Sequence, residues 1–311
     1  MRIAVDAMGG DFAPQTIVEG VGMAVRELPS DVQLVLIGNQ DLVTELLHAN
    51  GIAESVELIH TDEVIAMGEH PTKALSQKPN SSIGIGFKLL KEGKIDVFCS
   101  AGNTGAMHVG ALFSVKAIEG VIRPAIAGFA PQKNGQQAVI LDIGANADCK
   151  PEMLEQFGEL GSLYAQHTLK IENPRVALMN IGEEEQKGSL VAQAAYQLMK
   201  ANRKMNFVGN IEGGDFFDGK ADVIVTDGFT GNVLLKLAES FYDLAAERGI
   251  NDVYINQMNY EAFGGSPIIG VNGNVIIAHG VSTPLAIKNM IFLAKRQVES
   301  EVYLKIKQAL N

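Results

Sequence analysis

Residues 95–106 read IDVFCSAGNTGA, an apolar run that leads into a loop of small and polar residues. The run 95–99 has the composition of a buried strand. In the loop, Gly102 and Gly105 let the backbone bend sharply and approach a ligand closely. A helix that begins here offers unpaired N–H groups and the positive end of its dipole to an anion. The stretch therefore predicts a strand, a loop and a helix in succession, with the loop as a candidate phosphate-binding site.

The same pattern recurs along the whole chain. Strands are predicted at 3–5, 33–37, 56–59, 95–99, 138–142, 175–180, 222–225 and 275–278. Helices are predicted at 15–27, 41–49, 82–92, 105–117, 150–166, 188–201, 232–248 and 284–308. Apolar strands that alternate with helices indicate an α/β fold with a doubly wound, mostly parallel sheet and helices on both faces. Ligands are then expected beyond the carboxyl ends of the strands.

Composition narrows the class of protein. The chain has 311 residues, of which 47% are hydrophobic and 20% charged, so it forms one large α/β domain or two closely joined ones. A formal net charge of −11 argues against nucleic acid as a partner. Cys99 and Cys149 lack metal-ligand spacing, which favours a reduced, cytoplasmic protein. The sequence shows neither a signal peptide nor an 18-residue apolar run, so we expect a protein that neither crosses a membrane nor is exported by that route.

Small, polar loops follow six of the predicted strands. They lie at 6–11, 100–105, 142–148, 180–188, 226–232 and 279–283. The carboxyl ends of parallel strands share one edge of a sheet, so the six loops are predicted to converge on a single cleft. Gly, Asn and Asp also end strands and cap helices in any α/β protein, and this alternative remains open for each loop taken alone.

Standard cofactor and catalytic motifs are missing from these loops. The first strand is followed by Met8-Gly9-Gly10-Asp11 rather than by G-x-G-x-x-G, and no G-K-[ST] triplet occurs, so NAD and ATP are disfavoured. Ser100 lacks a G-x-S-x-G frame, and Cys99 reads as a buried small hydrophobe. The histidines show no metal-ligand spacing. We therefore predict no cofactor and no metal.

Some charged residues are open to two interpretations. Lys187 either steadies a bound phosphate beside backbone donors or forms a solvated pair with a neighbouring glutamate. His279 follows a strand and either contacts substrate or caps its turn. Four aspartates could gather into an oxygen-rich metal site or could cap turns, and we favour turns for Asp6, Asp11, Asp148 and Asp227.

Taken in order, the loop sequences resemble those of a known family. The motifs are VDAMGGDFAP (5–14), SAGNTGA (100–106), LDIGANADCKPE (141–152), NIGEEEQKG (180–188), VTDGFTGN (225–232) and AHG (278–280). They are similar to motifs of the bacterial PlsX family, the acyl-[acyl-carrier-protein]:phosphate acyltransferases of phospholipid synthesis. The resemblance runs from residue 1 to the C-terminal helix.

The resemblance implies a fold similar to phosphotransacetylases and isopropylmalate dehydrogenases. It further implies one acyltransferase unit over 1–311, a homodimer, and acyl transfer from acyl-carrier protein to inorganic phosphate. The resemblance also implies a downstream membrane acyltransferase that uses acyl phosphate as a further partner, and a location that is cytoplasmic or peripheral at the membrane. In that family the matching lysine and asparagine are implicated in activity, and here they are Lys187 and Asn232.

Phosphate is itself the nucleophile in this reaction, which agrees with a sequence that offers no serine or cysteine triad. We expect Lys187 and the N–H groups of Gly102 to Gly105 to hold phosphate, and Asn232 to donate to the oxyanion or to orient the thioester. The candidate substrate- and phosphate-binding residues are Asp6, Gly9, Gly10, Ser100, Gly102, Asn103, Thr104, Gly105, Asn146, Asp227 and His279.

The sequence departs from the family in two segments. Many members carry a longer amphipathic hairpin linked to membrane contact, but 237–263 is too short for it, and an ordinary packed helix is the favoured interpretation. The segment 75–82 lacks a dense basic run, and Ser81 or Ser82 is expected to cap the next helix. An acidic carrier protein would need basic residues for docking. The sequence does not choose between two sets, Lys88, Lys91 and Lys94 on one helix and Lys295 and Arg296 on another.

Two other functions stay open at this point. A phosphotransacetylase that uses coenzyme A thioesters shares the same thioester and phosphate chemistry. A regulator that binds phosphate or a carrier protein without turnover is the alternative outside enzymes.

Overall fold

The computed structural model of the protein describes residues 1–310. The chain folds into two compact units. Unit 1 comprises Met1–Ala117 and Tyr260–Glu299. Unit 2 comprises Ile118–Asn259 and the C-terminal segment from Ser300. Each unit therefore contains segments that are distant in the sequence.

The strands and longer helices follow one another in this order: β1 (Arg2–Asp6), α1 (Gln15–Val25), β2 (Gln33–Gly38), α2 (Gln40–Ala49), β3 (Val56–His60), α3 (Pro71–Gln77), α4 (Ser82–Lys91), β4 (Val97–Ser100), α5 (Thr104–Gly110), β5 (Ala125–Pro131), β6 (Gln137–Leu141), α6 (Pro151–His167), β7 (Arg175–Met179), α7 (Leu190–Ala201), β8 (Asn206–Ile211), β9 (Val223–Val225), α8 (Gly228–Glu247), α9 (Tyr260–Phe263), β10 (Ser266–Ile269), β11 (Asn274–Ile277), α10 (Pro284–Ser300) and α11 (Val302–Leu310).

In unit 1 the strands hydrogen-bond in the order β3-β2-β1-β4-β11-β10. All neighbours are parallel except β10 and β11, which are antiparallel. Val5 of β1 pairs with Cys99 of β4, and Ser100 pairs with Ile277 of β11. The three central strands therefore end side by side, and the loops that follow them begin at one edge.

In unit 2 the strand order is β5-β6-β9-β7-β8. The β5–β6 pair is antiparallel and the other pairs are parallel. Leu141 of β6 pairs with Val225 of β9, which in turn pairs with Leu178 of β7. Three further loops therefore begin together at the carboxyl edge of this unit.

Glycines allow the helices of unit 1 to pack tightly over aromatic side chains. A Cβ at Gly86 of α4 would lie 2.2 Å from the Phe98 ring, and one at Gly110 of α5 would lie 2.3 Å from the Phe87 ring. The two rings meet edge to face with centroids 5.2 Å apart, and both are fully buried. This contact fixes α4 and α5 against β4 and so positions the loop between β4 and α5.

All eight strands predicted from sequence are present, which confirms the α/β fold with a mostly parallel sheet. Three strands were not predicted, namely β5, β8 and β10. Of these, β5 and β10 pair antiparallel with the strand that follows each of them. No helix separates the members of such a pair, so the alternation of strand and helix gives no sign of them.

Three predicted helices have wrong bounds. The helix predicted at 105–117 ends at Gly110 and continues as a π-helical turn over Ala111–Val115. The helix predicted at 284–308 is interrupted at Glu301, where φ is 52°. The helix predicted from 232 begins at Gly228, because the Asp227 side chain caps it.

Among residues 1–310, no helix is both long and apolar enough to cross a membrane.

Candidate active site

A buried aspartate organises the loops of unit 1. Asp6, the last residue of β1, is 1% exposed. Its carboxylate accepts hydrogen bonds from Met8 N at 3.0 Å and from Ser100 Oγ at 2.7 Å. Ser100 Oγ in turn accepts from Gly102 N at 2.9 Å. Asp6 and Ser100 thus connect the loop after β1 to the loop after β4. Their side chains bond to groups of the protein itself, so contact with substrate stays a prediction for both.

Burial raises the pKa of the Asp6 carboxyl, and hydrogen bonds from Ser82, Ser100 and two backbone amides oppose that rise. Ser82 reaches Asp6 from the first turn of α4. The expected helix cap is provided by Ser81, whose side chain accepts from Gly84 N at 3.2 Å. Ser82 therefore joins α4 to the Asp6 network, a contact that the sequence did not predict.

Glycines let the loops of unit 1 touch. A Cβ at Gly9 would lie within 2.7 Å of both Ser100 Oγ and Gly102 N. Gly10 has φ of +109°, a conformation that L side chains rarely adopt. Asp11 N donates to Gly280 O at 2.8 Å. The loops after β1, β4 and β11 therefore form one continuous surface.

Asn103 is a structural centre of this surface. The side chain is 5% exposed, and its oxygen caps α5 by accepting from Ala106 N at 2.9 Å. Its amide nitrogen donates to three carbonyls in the segment before α3, those of Ala66, Met67 and Glu69. The side-chain oxygen and nitrogen of Asn103 both bond within the protein, so contact of this side chain with substrate stays a prediction.

Thr104, Gly105 and His279 lie nearer the surface. Thr104 is exposed at the start of α5, and Gly105 packs so closely that a Cβ would lie 2.4 Å from Pro71. The exposed His279 ring lies 5.4 Å from the Tyr260 ring between centroids, and its Nδ1 accepts weakly from Val281 N at 3.4 Å. His279 thus holds its turn, which is one of its two sequence interpretations, and a substrate contact stays a prediction.

A second buried aspartate organises unit 2. Asp142 follows β6 and is fully buried. It accepts from Ile126 N at 2.9 Å, Ala145 N at 3.2 Å and Asn146 N at 2.6 Å. The Asn146 amide adds a bond to Asp142 at 3.0 Å and another to Pro124 O at 2.9 Å. Asp142 and Asn146 therefore fix the shape of the loop 142–148.

The N-terminus of α8 packs directly on this loop. Asp227 caps the helix by accepting from Thr230 N at 2.8 Å and from Thr230 Oγ1 at 2.9 Å. Gly228 N donates to Asn146 O at 2.7 Å. A Cβ at Gly231 would lie only 1.9 Å from Asp142 O. The two glycines of the DGFTGN motif thus permit a close approach that any larger residue would prevent.

Asn232 lies on α8 rather than in the loop before it. The side chain is exposed, and its amide nitrogen would lie 3.2 Å from a Cβ placed on Gly144. The loops after β6 and β9 therefore meet beside Asn232. Its amide is available to a ligand at this point.

Lys187 lies in a loop whose backbone is held on several sides. Asn180 Nδ2 donates to Lys187 O at 3.1 Å, and Lys187 N donates to Glu184 O at 3.1 Å. The same Glu184 carbonyl accepts from Asn210 Nδ2 at 3.0 Å. Gly188 has φ of +86°, and a Cβ there would lie 2.2 Å from Asn180 Oδ1. The loop is therefore shaped before any ligand binds.

The acidic run before Lys187 is also anchored. Glu183 pairs with Lys220 at 2.9 Å, and Glu185 pairs with Lys200 at 2.5 Å. Lys187 itself reaches Glu184 only at 3.9 Å, and 46% of its side chain is exposed. This pair is the weakest in the loop, so the ammonium group can turn to an anion at small cost.

A cavity of about 480 Å³ opens among the three loops of unit 2. Its lining combines the ends of the strands with the starts of α7 and α8: Ala147, Asp148, Cys149, Leu154, Leu178, Met179, Ser189, Val191, Ala192, Thr226, Asp227, Phe229 and Thr230. Asp227 is the one lining residue that the sequence singled out as a substrate contact.

Neither cysteine is poised for nucleophilic attack. Cys99 is fully buried, which raises the pKa of its thiol. Burial and the nearby Asp142 and Asp227 carboxylates raise the pKa of Cys149 to about 12. Both thiols are protonated at neutral pH, and a thiolate is the reactive form.

Among residues 1–310, no group of three or more His, Cys, Asp or Glu side chains is placed to hold a metal ion. Asp6 and Asp227 accept hydrogen bonds in their own turns, as expected from the sequence.

The six predicted loops assemble as two sets of three, one set in each unit. That all six face one cleft stays a prediction. Sequence reasoning treated Ser82 as a helix cap and did not name Asn210, because neither lies in a strand-end loop. A buried asparagine within a strand, as at Asn210, is the one signal that could have been noticed, since such an amide needs a hydrogen-bonding partner.

This fold places the chain among α/β proteins built like phosphotransacetylases. It is similar to a phosphotransacetylase from Streptococcus pyogenes with a TM-score of 0.69 and 17% identity, over 96% of this chain and 94% of that chain. It is similar to the EutD phosphotransacetylase from Staphylococcus aureus with a TM-score of 0.65 and 18% identity, at the same coverage. Identities this low show a common fold alone.

The chain belongs to the family described as fatty acid synthesis protein, whose model matches residues 1–248. It is 43% identical to a protein of Dictyoglomus turgidum called phosphate acyltransferase, over all of this chain and 98% of the relative. A protein of Halothermothrix orenii with the same name is also 43% identical, over all of this chain and 99% of the relative. The resemblance read from the six motifs is confirmed.

Asn210 offers a test of how the Lys187 loop is positioned. We expect Asn210→Ala to raise the KM for the anionic substrate about tenfold, because the Glu184 carbonyl loses a donor and the loop loosens. Steady-state kinetics with varied phosphate, beside a melting curve, provide the measurement. Asn206→Ala is the matched control, since Asn206 lies at the other end of β8 and donates to Asn173 O at 3.4 Å. Equal KM values in the two variants would contradict a positioning role.

Proposed function

We propose that the chain transfers a fatty acyl group from acyl-carrier protein to inorganic phosphate and so forms acyl phosphate for phospholipid synthesis. Support comes from family membership and from relatives named phosphate acyltransferase. The reaction breaks the thioester C–S bond and forms a C–O bond to phosphate, and the carrier thiol leaves. No oxidant or reductant takes part.

One observation carries the proposal of direct attack by phosphate. Ser100, Cys99 and Cys149, a serine and the two thiols in or beside these loops, are all unsuited to forming an acyl-enzyme. Ser100 Oγ is buried and donates to Asp6. The thiols of Cys99 and Cys149 have raised pKa values. A site of this kind accelerates reaction by holding two substrates together and by stabilising the oxyanion that forms.

Lys187 is our candidate for binding the phosphate nucleophile. Its loop is held by Asn180 and Asn210, while within residues 1–310 its ammonium group has one salt-bridge partner, Glu184 at 3.9 Å. A cation on a fixed backbone lowers the energy of a bound dianion without a large loss of entropy. In unit 1, Gly102 N already donates to Ser100 Oγ, so the predicted role of phosphate donor is kept for the backbone amides from Asn103 to Gly105.

Asn232 is our candidate for stabilising the oxyanion. Its amide group is exposed beside Gly144, at the junction of the loops after β6 and β9. An amide N–H is the kind of donor that stabilises a tetrahedral intermediate at a thioester carbon. The close packing of Gly231 on Asp142 O holds this part of α8 in place.

A homodimer is part of the proposal and is supported by the exposed side of α8. Apolar side chains recur there at helical spacing, and about half of each is exposed: Val233, Leu237, Phe241 and Leu244. Only small residues of α8 are buried, among them Ala238 and Ala245. An uncovered stripe of this kind marks an interaction site.

We propose that a second copy covers this stripe and that the protein is cytoplasmic, with a downstream membrane acyltransferase receiving the acyl phosphate. Light scattering should give twice the monomer mass for the unmodified chain and a lower mass for Leu237→Asp/Phe241→Asp. A monomeric unmodified chain that floats with phospholipid vesicles would favour the membrane as the occupant instead.

A phosphotransacetylase that uses coenzyme A thioesters is the second candidate, because the solved structures of similar fold include phosphotransacetylases. One assay separates the two. Phosphate is supplied with either acyl-carrier protein or acetyl-coenzyme A, and acyl phosphate is trapped with hydroxylamine. We expect hydroxamate from the carrier-bound acyl group. Equal product from acetyl-coenzyme A would favour the second candidate, and absence of product from both would favour a binding protein.

Loss of the catalytic groups should be measurable in the same assay. We expect Lys187→Ala and Asn232→Ala each to lower turnover about 100-fold or more, because removal of one donor to a developing oxyanion or nucleophile has effects of this size. Lys204→Ala, at another exposed lysine of unit 2, serves as the control. Acyl phosphate formation close to that of the control in either variant would exclude the role assigned to that residue.

A further inference from the structure

A second large cavity lies in unit 1, on the side of α3, α4 and α5. It measures about 520 Å³ and is lined by α3, α4, α5 and the π-helical turn that follows α5. The apolar part of its lining includes Leu75, Pro79, Val109 and Phe113. The sequence did not predict this cavity, although two of its lining residues, Lys88 and Lys91, belong to one of the two basic sets named above.

The cavity has a uniformly basic rim. Lys88 and Lys91 line it, and its lining contains no acidic side chain. The nearest glutamates in sequence, Glu69 and Glu92, pair with other lysines, Lys78 at 2.6 Å and Lys94 at 2.8 Å. Within residues 1–310, Lys88 and Lys91 form no salt bridge. Glu92 acts on both lysines only through space, so two lysines without a salt bridge in the described part of the chain stand beside this cavity, although the net charge is −11.

The wall of the cavity exposes an aromatic side chain. Phe113 is 71% exposed and lies in the π-helical turn over Ala111–Val115. Turns of this kind occur frequently at functional sites, where they direct a side chain outward. An exposed aromatic residue next to basic groups is typical of a protein-binding surface, which has an apolar centre and a charged rim.

The cavity adjoins the candidate phosphate loop. Thr72 lines the cavity, and the preceding Pro71 touches Gly105, since a Cβ on Gly105 would lie 2.4 Å from the proline ring. A partner bound at the cavity would therefore be next to the loop that follows β4. This position suits a macromolecule that delivers a substrate group to that loop.

We propose that Lys88, Lys91 and Phe113 form the docking surface for an acidic carrier protein. The carrier places acidic side chains against the two lysines and an apolar side chain in the cavity. The charge complementarity supplies orientation and fast association. In taking this partner to be the acyl-carrier protein, the inference rests on the proposed function.

The structure also distinguishes the two basic sets that the sequence left open. Lys295 is held by Glu299 at 2.5 Å, and only 20% of its side chain is exposed. Lys94 is likewise paired with Glu92. Of the residues in the two sets, Lys88 and Lys91 are therefore the ones that form no salt bridge within the described residues and also line a cavity with apolar walls.

Charge reversal tests the docking surface. Calorimetry at low salt would measure binding of the carrier without an acyl chain to the full-length protein. We expect Lys88→Glu/Lys91→Glu to weaken binding about tenfold or more, because like charges then face each other. The salt dependence of the affinity should fall in the same variant. Phe113→Ser should weaken binding but keep the salt dependence of the unmodified chain.

Lys295→Glu/Arg296→Glu is the matched control, since it changes the net charge by the same amount on α10. Equal weakening in both double variants would mean a general charge effect, and weakening in the α10 variant alone would place docking there; either result overturns the proposal. The proposal would also be overturned if Lys88→Glu/Lys91→Glu weakened binding of the acylated carrier alone, because the cavity would then hold the acyl chain and not the carrier's surface. Melting curves identify a variant that fails to fold, and Lys88→Gln/Lys91→Gln then replaces it.

Failure of this inference is distinguishable from failure of the proposed function. An unmodified chain that neither binds the carrier nor forms acyl phosphate from its thioester would overturn both. Binding and turnover that persist unchanged in Lys88→Glu/Lys91→Glu would overturn the docking surface alone.

Discussion

Each unit depends on a buried carboxylate at the end of a central strand. Burying a charged group without partners costs several kcal/mol, so such a group persists only where donors surround it. Asp6 collects donors from its own loop and from Ser100, and Asp142 collects three backbone amides and the Asn146 side chain. The same physical constraint thus shapes the loops of both units.

This arrangement explains the chemistry that the site lacks and the chemistry that it supports. Ser100 is used to hold Asp6, and the two thiols have raised pKa values, so the protein offers no activated nucleophile from these groups. What remains in unit 2 is a set of hydrogen-bonded loops with the exposed amide side chain of Asn232 and the weakly paired Lys187. Such a site suits a reaction in which both reacting groups arrive with the substrates.

Much of the fold could be predicted from the sequence because parallel strands and their helices leave a strong alternating pattern. The antiparallel strands β5 and β10 leave no such pattern, since no helix separates each from its partner. The start of α8 was predicted at Asn232, four residues too late, because the residues after the capping Asp227 were assigned to a loop. Helix bounds depend on a few hydrogen bonds, and sequence periodicity does not report them.

Some residues of the candidate site could likewise be predicted from the sequence, and others could not. Loops with unusual composition, such as that of Lys187, are visible in the sequence because glycine and charged residues cluster there. Asn210 and Ser82 contact these loops from a strand and a helix that have ordinary composition, so only the three-dimensional arrangement reveals them. The basic cavity of unit 1 is a similar case, since Lys88 and Lys91 become distinctive only when their lack of salt bridges is seen beside Phe113.

The mass of the intact protein distinguishes direct attack by phosphate from a route through an acyl-enzyme. The chain is incubated with acyl-carrier protein in the absence of phosphate and its mass is measured before and after phosphate is added. If phosphate attacks directly, we expect an unmodified mass at every time point and acyl phosphate only after phosphate is supplied. A protein heavier by one acyl group before phosphate is added, and restored to its original mass afterwards, would show an acyl-enzyme and contradict the account.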